Sequence, residues 1–226
     1  KKLTPKKRIP NQLLKQSKMG NKKVLFGLTL FFTMLFFACK KEDGTPAKFY
    51  YEYYPDDVGT WVEYDVMYVD RDDASGLNDT TKYKLREIIE STFIDNQGRP
   101  SLRIERYWRT ADSLPWVIKD IWYATRTTTK LEKIEEDYRY LRLVFAITDD
   151  KRWNGNVYNT LDEEEYEYDN LHEPMTISNL NFDSTATVIQ RSNTNIIEIS
   201  EASEIYANHV GLIKKEDIYF YPLKSG

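Results

Sequence analysis

His172 and His209 are the chain's two histidines, and their scarcity limits the chemistry it can do. Zinc asks for clustered His or Cys ligands, and a Ser-His-Asp triad would have to recruit one of these two residues. No G-x-S-x-G elbow and no phosphate-binding glycine loop occurs. Carboxylates are abundant, with 36 Asp and Glu in all and dense runs at Asp162-Glu163-Glu164-Glu165-Tyr166-Glu167-Tyr168-Asp169 and between Asp70 and Asp79. Either run could offer oxygens to calcium, but neither has the order of acids around a central glycine that an EF-hand uses, so solvated charged loops are the favoured reading. So many acids also leave no single pair assignable to glycoside hydrolysis. The expectation is therefore no enzyme, no catalytic residue, no metal and no cofactor, with the ligand-binding residues left open. Trp108, Trp116 and Trp122 could line a sugar platform or an apolar lumen, yet they fall among Leu102, Ile104 and Ile118 and read first as core.

Cys39 is the single cysteine, which rules out a disulfide within the chain. Its surroundings are specific. Lys22 and Lys23 precede the uncharged apolar run from Val24 to Ala38, which is shorter than the roughly 20 residues a spanning helix needs and matches the h-region of a secretory signal. Leu35-Phe36-Phe37-Ala38-Cys39 resembles a lipobox, the pattern that directs lipid attachment to the cysteine and cleavage before it; Phe36 and Phe37 depart from the usual residues. The resemblance implies Cys39 as the lipid-attachment residue and the membrane as a partner through that lipid.

These segments divide the chain. Residues 1–18 are basic and polar and read as an upstream extension without fold, since Met19 opens a normal signal. Residues 19–38 are the signal peptide, 39–48 the lipid anchor and a polar tether, and 49–226 a single domain. From Phe49 onward Tyr, Trp, Val, Ile and Thr alternate with polar residues between turn signals, the pattern of antiparallel strands. Val62, Tyr64, Val66 and Tyr68 share one face, and after a loop over Asp70–Asp79, Tyr83, Leu85, Ile89 and Phe93 continue the period. Asp95-Asn96-Gln97-Gly98 closes a hairpin back to Leu102, Ile104 and Trp108, and a turn at Ser113-Leu114-Pro115 leads to Trp116, Ile118 and Trp122. Residues 129–145 also fit helical spacing, but the β-rich run after Glu136-Asp137 favours a strand pair turning there. Further strands are expected near Glu165–Tyr168, Met175–Ile177, Ser184–Arg191, Ile196–Ile199, Val210–Ile213 and Ile218–Tyr221. The fold class is mainly β, a large curved antiparallel sheet or a half-barrel or barrel meander, with little helix beyond the signal.

Nine of the 32 basic residues and none of the acids precede Cys39, leaving 23 basic against 36 acidic residues from there on. A formally −13 domain lacks the basic surface that nucleic acid or anionic lipid would require. Tyr53-Tyr54-Pro55-Asp56-Asp57-Val58-Gly59-Thr60-Trp61-Val62-Glu63-Tyr64-Asp65-Val66 and Tyr206-Ala207-Asn208-His209-Val210-Gly211-Leu212-Ile213-Lys214-Lys215-Glu216 resemble the opening and closing strands of uncharacterised Bacteroidota cell-envelope lipoproteins, and Arg152-Trp153-Asn154-Gly155-Asn156 is similar in character. Lys40-Lys41-Glu42-Asp43 resembles the tether that sends some of these lipoproteins outward. The resemblance implies an outer-membrane address, with the face open, and lends no catalytic residue. The expected function is that of a non-enzymatic lipoprotein binding an envelope protein or an apolar ligand; the alternative is a carbohydrate-binding module or a glycan hydrolase with a carboxylate pair.

Overall fold

The computed structural model describes residues 48–72, 75–196 and 198–221. The expected extension, the signal segment and Cys39 lie outside them. Among the described residues eleven strands form two antiparallel sheets. The first is a meander in chain order: β1 (Trp61–Asp72), β2 (Leu77–Ile94), β3 (Pro100–Arg109), β4 (Val117–Arg126), β5 (Lys130–Glu135) and β6 (Tyr138–Val144). The second contains β7 (Arg152–Asn154), β8 (Glu165–Ile177), β9 (Leu180–Thr194), β10 (Ile199–Ala207) and β11 (Gly211–Phe220), again paired in chain order. The mainly β, half-barrel expectation holds.

Local chemistry explains the turns. Glu136 and Asp137 both take positive φ, 47° and 68°, the requirement of a two-residue hairpin turn, so the ambiguous stretch becomes β5 and β6. Asp95 accepts the backbone N–H groups of Gln97 and Arg99 through Oδ1, both at 2.9 Å, and Gly98 supplies the left-handed residue at φ 75°. Before β1, Gly59 at φ 93° donates to Ile89 O at 2.8 Å while Ile89 N–H donates to Thr60 O at 2.9 Å, a bulge with glycine in its first position.

Two bulges alter which residues face inward. The register slips between Ile89 and Ser91, so Phe93 turns outward and meets Tyr123 edge-on at 5.4 Å instead of continuing the face of Leu85 and Ile89. A second slip between Arg106 and Tyr107 leaves Lys119 unpaired on β4 and carries Ile118 outward, 51% exposed, away from Trp122. Where a loop was expected over Asp70–Asp79, the two strands run on to Asp72 and restart at Leu77. The expected strand at Ile196–Ile199 lies instead at β10, whose Glu201, Ala202 and Ser203 have weak strand preference but whose alternate residues face the core.

The inward faces meet in one core. Ile89, Leu102, Ile104, Ala124, Leu131 and Leu143 pack with Tyr166, Tyr168, Ala186, Val188 and Tyr206 from the second sheet. Each fully buried leucine there contributes about 1.5–3 kcal/mol of transfer free energy. On one side the sheets are stitched together: Leu141 N–H donates to Gly155 O at 2.8 Å, Trp153 Nε1 to Leu141 O at 2.9 Å and Tyr168 OH to Val144 O at 3.0 Å. On the other side β1 and β11 are joined by the Tyr64 hydroxyl, which donates to Leu212 O at 2.9 Å, and among the described residues β1 has no backbone partner strand besides β2.

Candidate functional site

Strand alternation puts charged side chains among the core positions. Glu87 shares the parity of Leu85 and Ile89, Arg106 that of Leu102 and Ile104, and Lys133 and Glu135 that of Leu131. Asp120 and Arg142 come from β4 and β6 of the same sheet, and Glu204 and Lys215 from β10 and β11 of the second. They form a continuous chain of opposite charges. Arg106 Nε donates to Glu87 at 2.9 Å and its Nη1 to Asp120 at 2.9 Å. Lys133 Nζ lies 3.5 Å from Glu87 and 3.6 Å from Glu135. Arg142 grips Glu135 through Nε at 3.2 Å and Nη2 at 2.8 Å and reaches Glu204 at 3.5 Å, while Lys215 bridges Glu135 at 3.4 Å and Glu204 at 3.1 Å. Tyr206 donates to Glu204 at 2.6 Å. Four cations face four anions, the balance that buried charge requires.

The electrostatics follow from that pairing. Burial would push the Glu204 carboxyl up, but Arg142 and Lys215 outweigh it and hold it down at about 2. Burial opposes ionisation of Glu135 too, and Lys133, Arg142 and Lys215 overcome it, so this carboxyl lies far below the usual range. Desolvation works against the charge on Arg142, yet Glu204 and Glu135 raise its pKa well above normal. The phenol of Tyr54, buried beside these carboxylates, is pushed up strongly. A separate cluster on the outer side has Glu132 among Arg99 at 3.0 Å, Lys130 at 2.8 Å and Arg139 at 2.7 Å; burial raises its carboxyl, and the three cations bring it to about 2. All three carboxyls are thereby kept ionised, whereas an acid that protonates a leaving group needs a raised pKa.

The residues singled out in the sequence occupy other roles. His172 Nδ1 is 2.9 Å from the Tyr53 hydroxyl, which also lies 2.7 Å from Ser184 Oγ, and its ring stacks on Tyr50 at 4.0 Å. Burial, then Lys48, lowers the His172 pKa. His209 contributes its backbone, donating to Glu52 O at 2.7 Å. Both histidines thus brace the short 3-10 turn Tyr51–Tyr53. Trp122 faces inward with Arg106 at 3.3 Å and Lys133 at 4.6 Å over its ring, and its indole N–H finds no acceptor. Trp116 has Arg86 and Arg109 each 4.4 Å from its ring. Trp108, expected in the core, is 38% exposed and meets Tyr83 edge-on at 6.0 Å, because β4 turns away beyond Val117. The acidic run after Asp162 is mostly strand: Glu164 pairs with Arg191 at 3.2 Å and Glu167 with Arg152 at 2.6 Å, while Tyr166 and Tyr168 fill the core.

Sequence reasoning missed the ion network, and its signal was charge at inward parity on successive strands. The hollow beside it, lined by Tyr54, Tyr64, Glu87 and Lys133, measures about 50 Å³, and a second one on β9–β11 about 130 Å³. Small-molecule pockets usually run to about 300 Å³ or more. Among the described residues no group of three or more His, Cys, Asp or Glu is placed to hold a metal ion. Comparison with protein-family models, with curated proteins and with solved structures returns no match.

Proposed function

We propose that this protein is a lipid-anchored component of a bacterial cell envelope whose β domain binds a protein partner, without catalysing a reaction, and that the surface it uses is the projecting end of the β1–β2 hairpin. The observation that carries this reading is the reach of that hairpin. The last residue of β2 paired with β3 is Lys84, opposite Arg109, so residues 66–72 and 77–83 extend as a two-stranded arm. On it Met67 is 65% exposed with Val69 on the same face, and Tyr68 is 61% exposed on the opposite face. Tyr and Met are residue types favoured at protein interfaces, and their display on both faces of an arm held clear of the core is an unusual use of apolar surface.

Of the two ligands considered, a protein is better supported than an apolar molecule. The inner space is occupied by the ion network, and a hydrocarbon placed there would strip water from charged groups, a cost that offsets the gain from its own burial. The sugar-binding alternative is less well supported at Trp116, whose ring already carries Arg86 and Arg109. The anchor at Cys39 rests on the lipobox resemblance, and the outer-membrane address on the tether behind it.

The test is a photo-reactive amino acid at Tyr68 of the full chain, expressed in its host and irradiated. A discrete adduct is expected there and none at the outward Ile118. Absence of any adduct at Tyr68 would remove the hairpin as a partner surface.

A further inference from the structure

We infer that the partner of this hairpin is a second copy of the same chain, joined through antiparallel pairing of β1 with β1 about a two-fold axis at Met67. The inference rests on the reading of the hairpin as a partner surface and specifies its occupant.

The free edge can be read from the ladder. Because Thr60 O accepts from Ile89, the even residues of β1 turn their N–H and C=O groups toward β2, and Trp61, Glu63, Asp65, Met67, Val69 and Arg71 turn theirs to the open edge. None of these six has a backbone partner across that edge among the described residues. Of the usual protections β1 keeps only its charges, Glu63, Asp65, Asp70, Arg71 and Asp72, and has no proline, no lysine and no bulge between Trp61 and Asp72. A regular edge of this length is a template for another strand whose charges match.

Charge selects which strand and in what register. With the two-fold at Met67, Glu63 of each copy faces Arg71 of the other, so two opposite-charge pairs form by symmetry. Val66 then faces Tyr68, an aromatic and β-branched pair, and no like charges meet. Other registers are poorer. An axis at Asp65 or at Asp70 sets an aspartate against its own copy. An axis at Tyr68 pairs Asp65 with Arg71 but sets Val66 against Asp70 and Tyr64 against Asp72, and axes at Val69 and at Val66 leave no opposite-charge pair within β1. Among the described residues the Arg71 guanidinium is held through Nε to Asn78 at 3.1 Å, and Glu63 accepts from Arg86 through Oε1 at 2.9 Å, which leaves the Arg71 Nη groups and Glu63 Oε2 for the pair between copies.

The experiment uses the full chain with Cys39→Ser, so that an introduced cysteine is the only thiol. In the proposed register Met67 faces itself at a Cα separation of about 5.5 Å, within the range a disulfide spans. Met67→Cys under mild oxidation should therefore give a reducible band of twice the chain mass, while Ile118→Cys stays monomeric. Arg71→Glu, which sets Glu against Glu twice, should weaken dimerisation roughly tenfold, and Glu63→Arg with Arg71→Glu should restore it. Equal crosslinking of Met67→Cys and Ile118→Cys, or an Arg71→Glu variant that dimerises as tightly as its parent, would overturn the proposal. The adduct at Tyr68 separates the two readings. An adduct of some other mass keeps the partner surface and discards self-pairing, and no adduct discards both.

Discussion

Glu204→Gln keeps the shape of a side chain at the centre of the ion network and removes one of its four negative charges. Arg142 and Lys215 would then share Glu135 alone. The expected cost follows from the carboxyl itself, held at about 2 in the fold against an ordinary 4.5. At about 1.4 kcal/mol for each tenfold change in protonation, that interval corresponds to roughly 3 kcal/mol at neutral pH. This agrees with the roughly 3–5 kcal/mol lost when one partner of a buried ion pair is removed. The sign with pH is fixed: a depressed carboxyl stabilises the fold fully above about pH 4.5 and loses that contribution as the pH falls through about 2. Urea titrations of both proteins, followed by tryptophan fluorescence, should thus show a gap of roughly 3 kcal/mol at about pH 7 that narrows steadily toward about pH 2. In thermal melts the same gap amounts to roughly 6–12 °C for a domain of this size. A gap below about 1 kcal/mol at neutral pH, or one that does not change with pH, would refute the view that these charges act as one balanced set.

Gly155→Ala should destabilise the fold by at least about 1–3 kcal/mol in thermal melts, because an added Cβ would come within 2.2 Å of the Tyr166 ring. The two tryptophans should separate in denaturant melts: Trp122→Ala is expected to cost about 3–5 kcal/mol, and the half-exposed Trp108→Ala less than about 1 kcal/mol. Metabolic labelling with a clickable fatty acid should mark the wild-type chain and leave Cys39→Ser unmarked; equal labelling would end the lipid-anchor reading. At concentrations where the chain is monomeric, amide exchange should be fast in residues 66–72 and 77–83 and slow at Leu131 and Leu143, and uniform protection there would contradict an arm that projects from the sheet.

The strands were readable wherever alternation coincided with a turn that only certain residues make. Asp95 to Gly98 and Glu136-Asp137 marked their hairpins through side-chain acceptors and left-handed conformations, which are properties of the residues themselves. Alternation failed where a single unpaired residue reset it. Glu90 and Lys119 do not differ from other polar strand residues, so nothing in the sequence announced that Phe93 and Ile118 would turn outward. The candidate site was hidden for a related reason. A glutamate or arginine at an inward position is far more often a sign of a solvated face, and the neighbouring pairs Glu87–Arg106 and Glu135–Arg142 become one interior network only because Lys133 reaches Glu87 and Arg142 reaches Glu204 from strands not adjacent to them. Glu204 in particular lies on a strand whose glutamate and alanine content has weak strand preference.

The turn at Tyr51–Tyr53 has a mechanical meaning for a chain that is pulled from its N-terminal side. Tyr51 OH donates to Thr128 O at 2.8 Å, and Arg126 Nη1 donates to Tyr51 O at 3.2 Å and Tyr54 O at 3.0 Å, fastening the turn to the first sheet. His209 N–H to Glu52 O and the Tyr53 hydroxyl at Ser184 fasten it to the second. A tensile load entering at Lys48 is therefore divided between the two layers before it reaches any strand. These bonds must yield together, in shear, whereas a load applied directly to the end of β1 would open its ladder one bond at a time. Traction on the leading segment would find the domain far more resistant than the same force applied at the far end of β11, a difference that single-molecule stretching along the two axes would record.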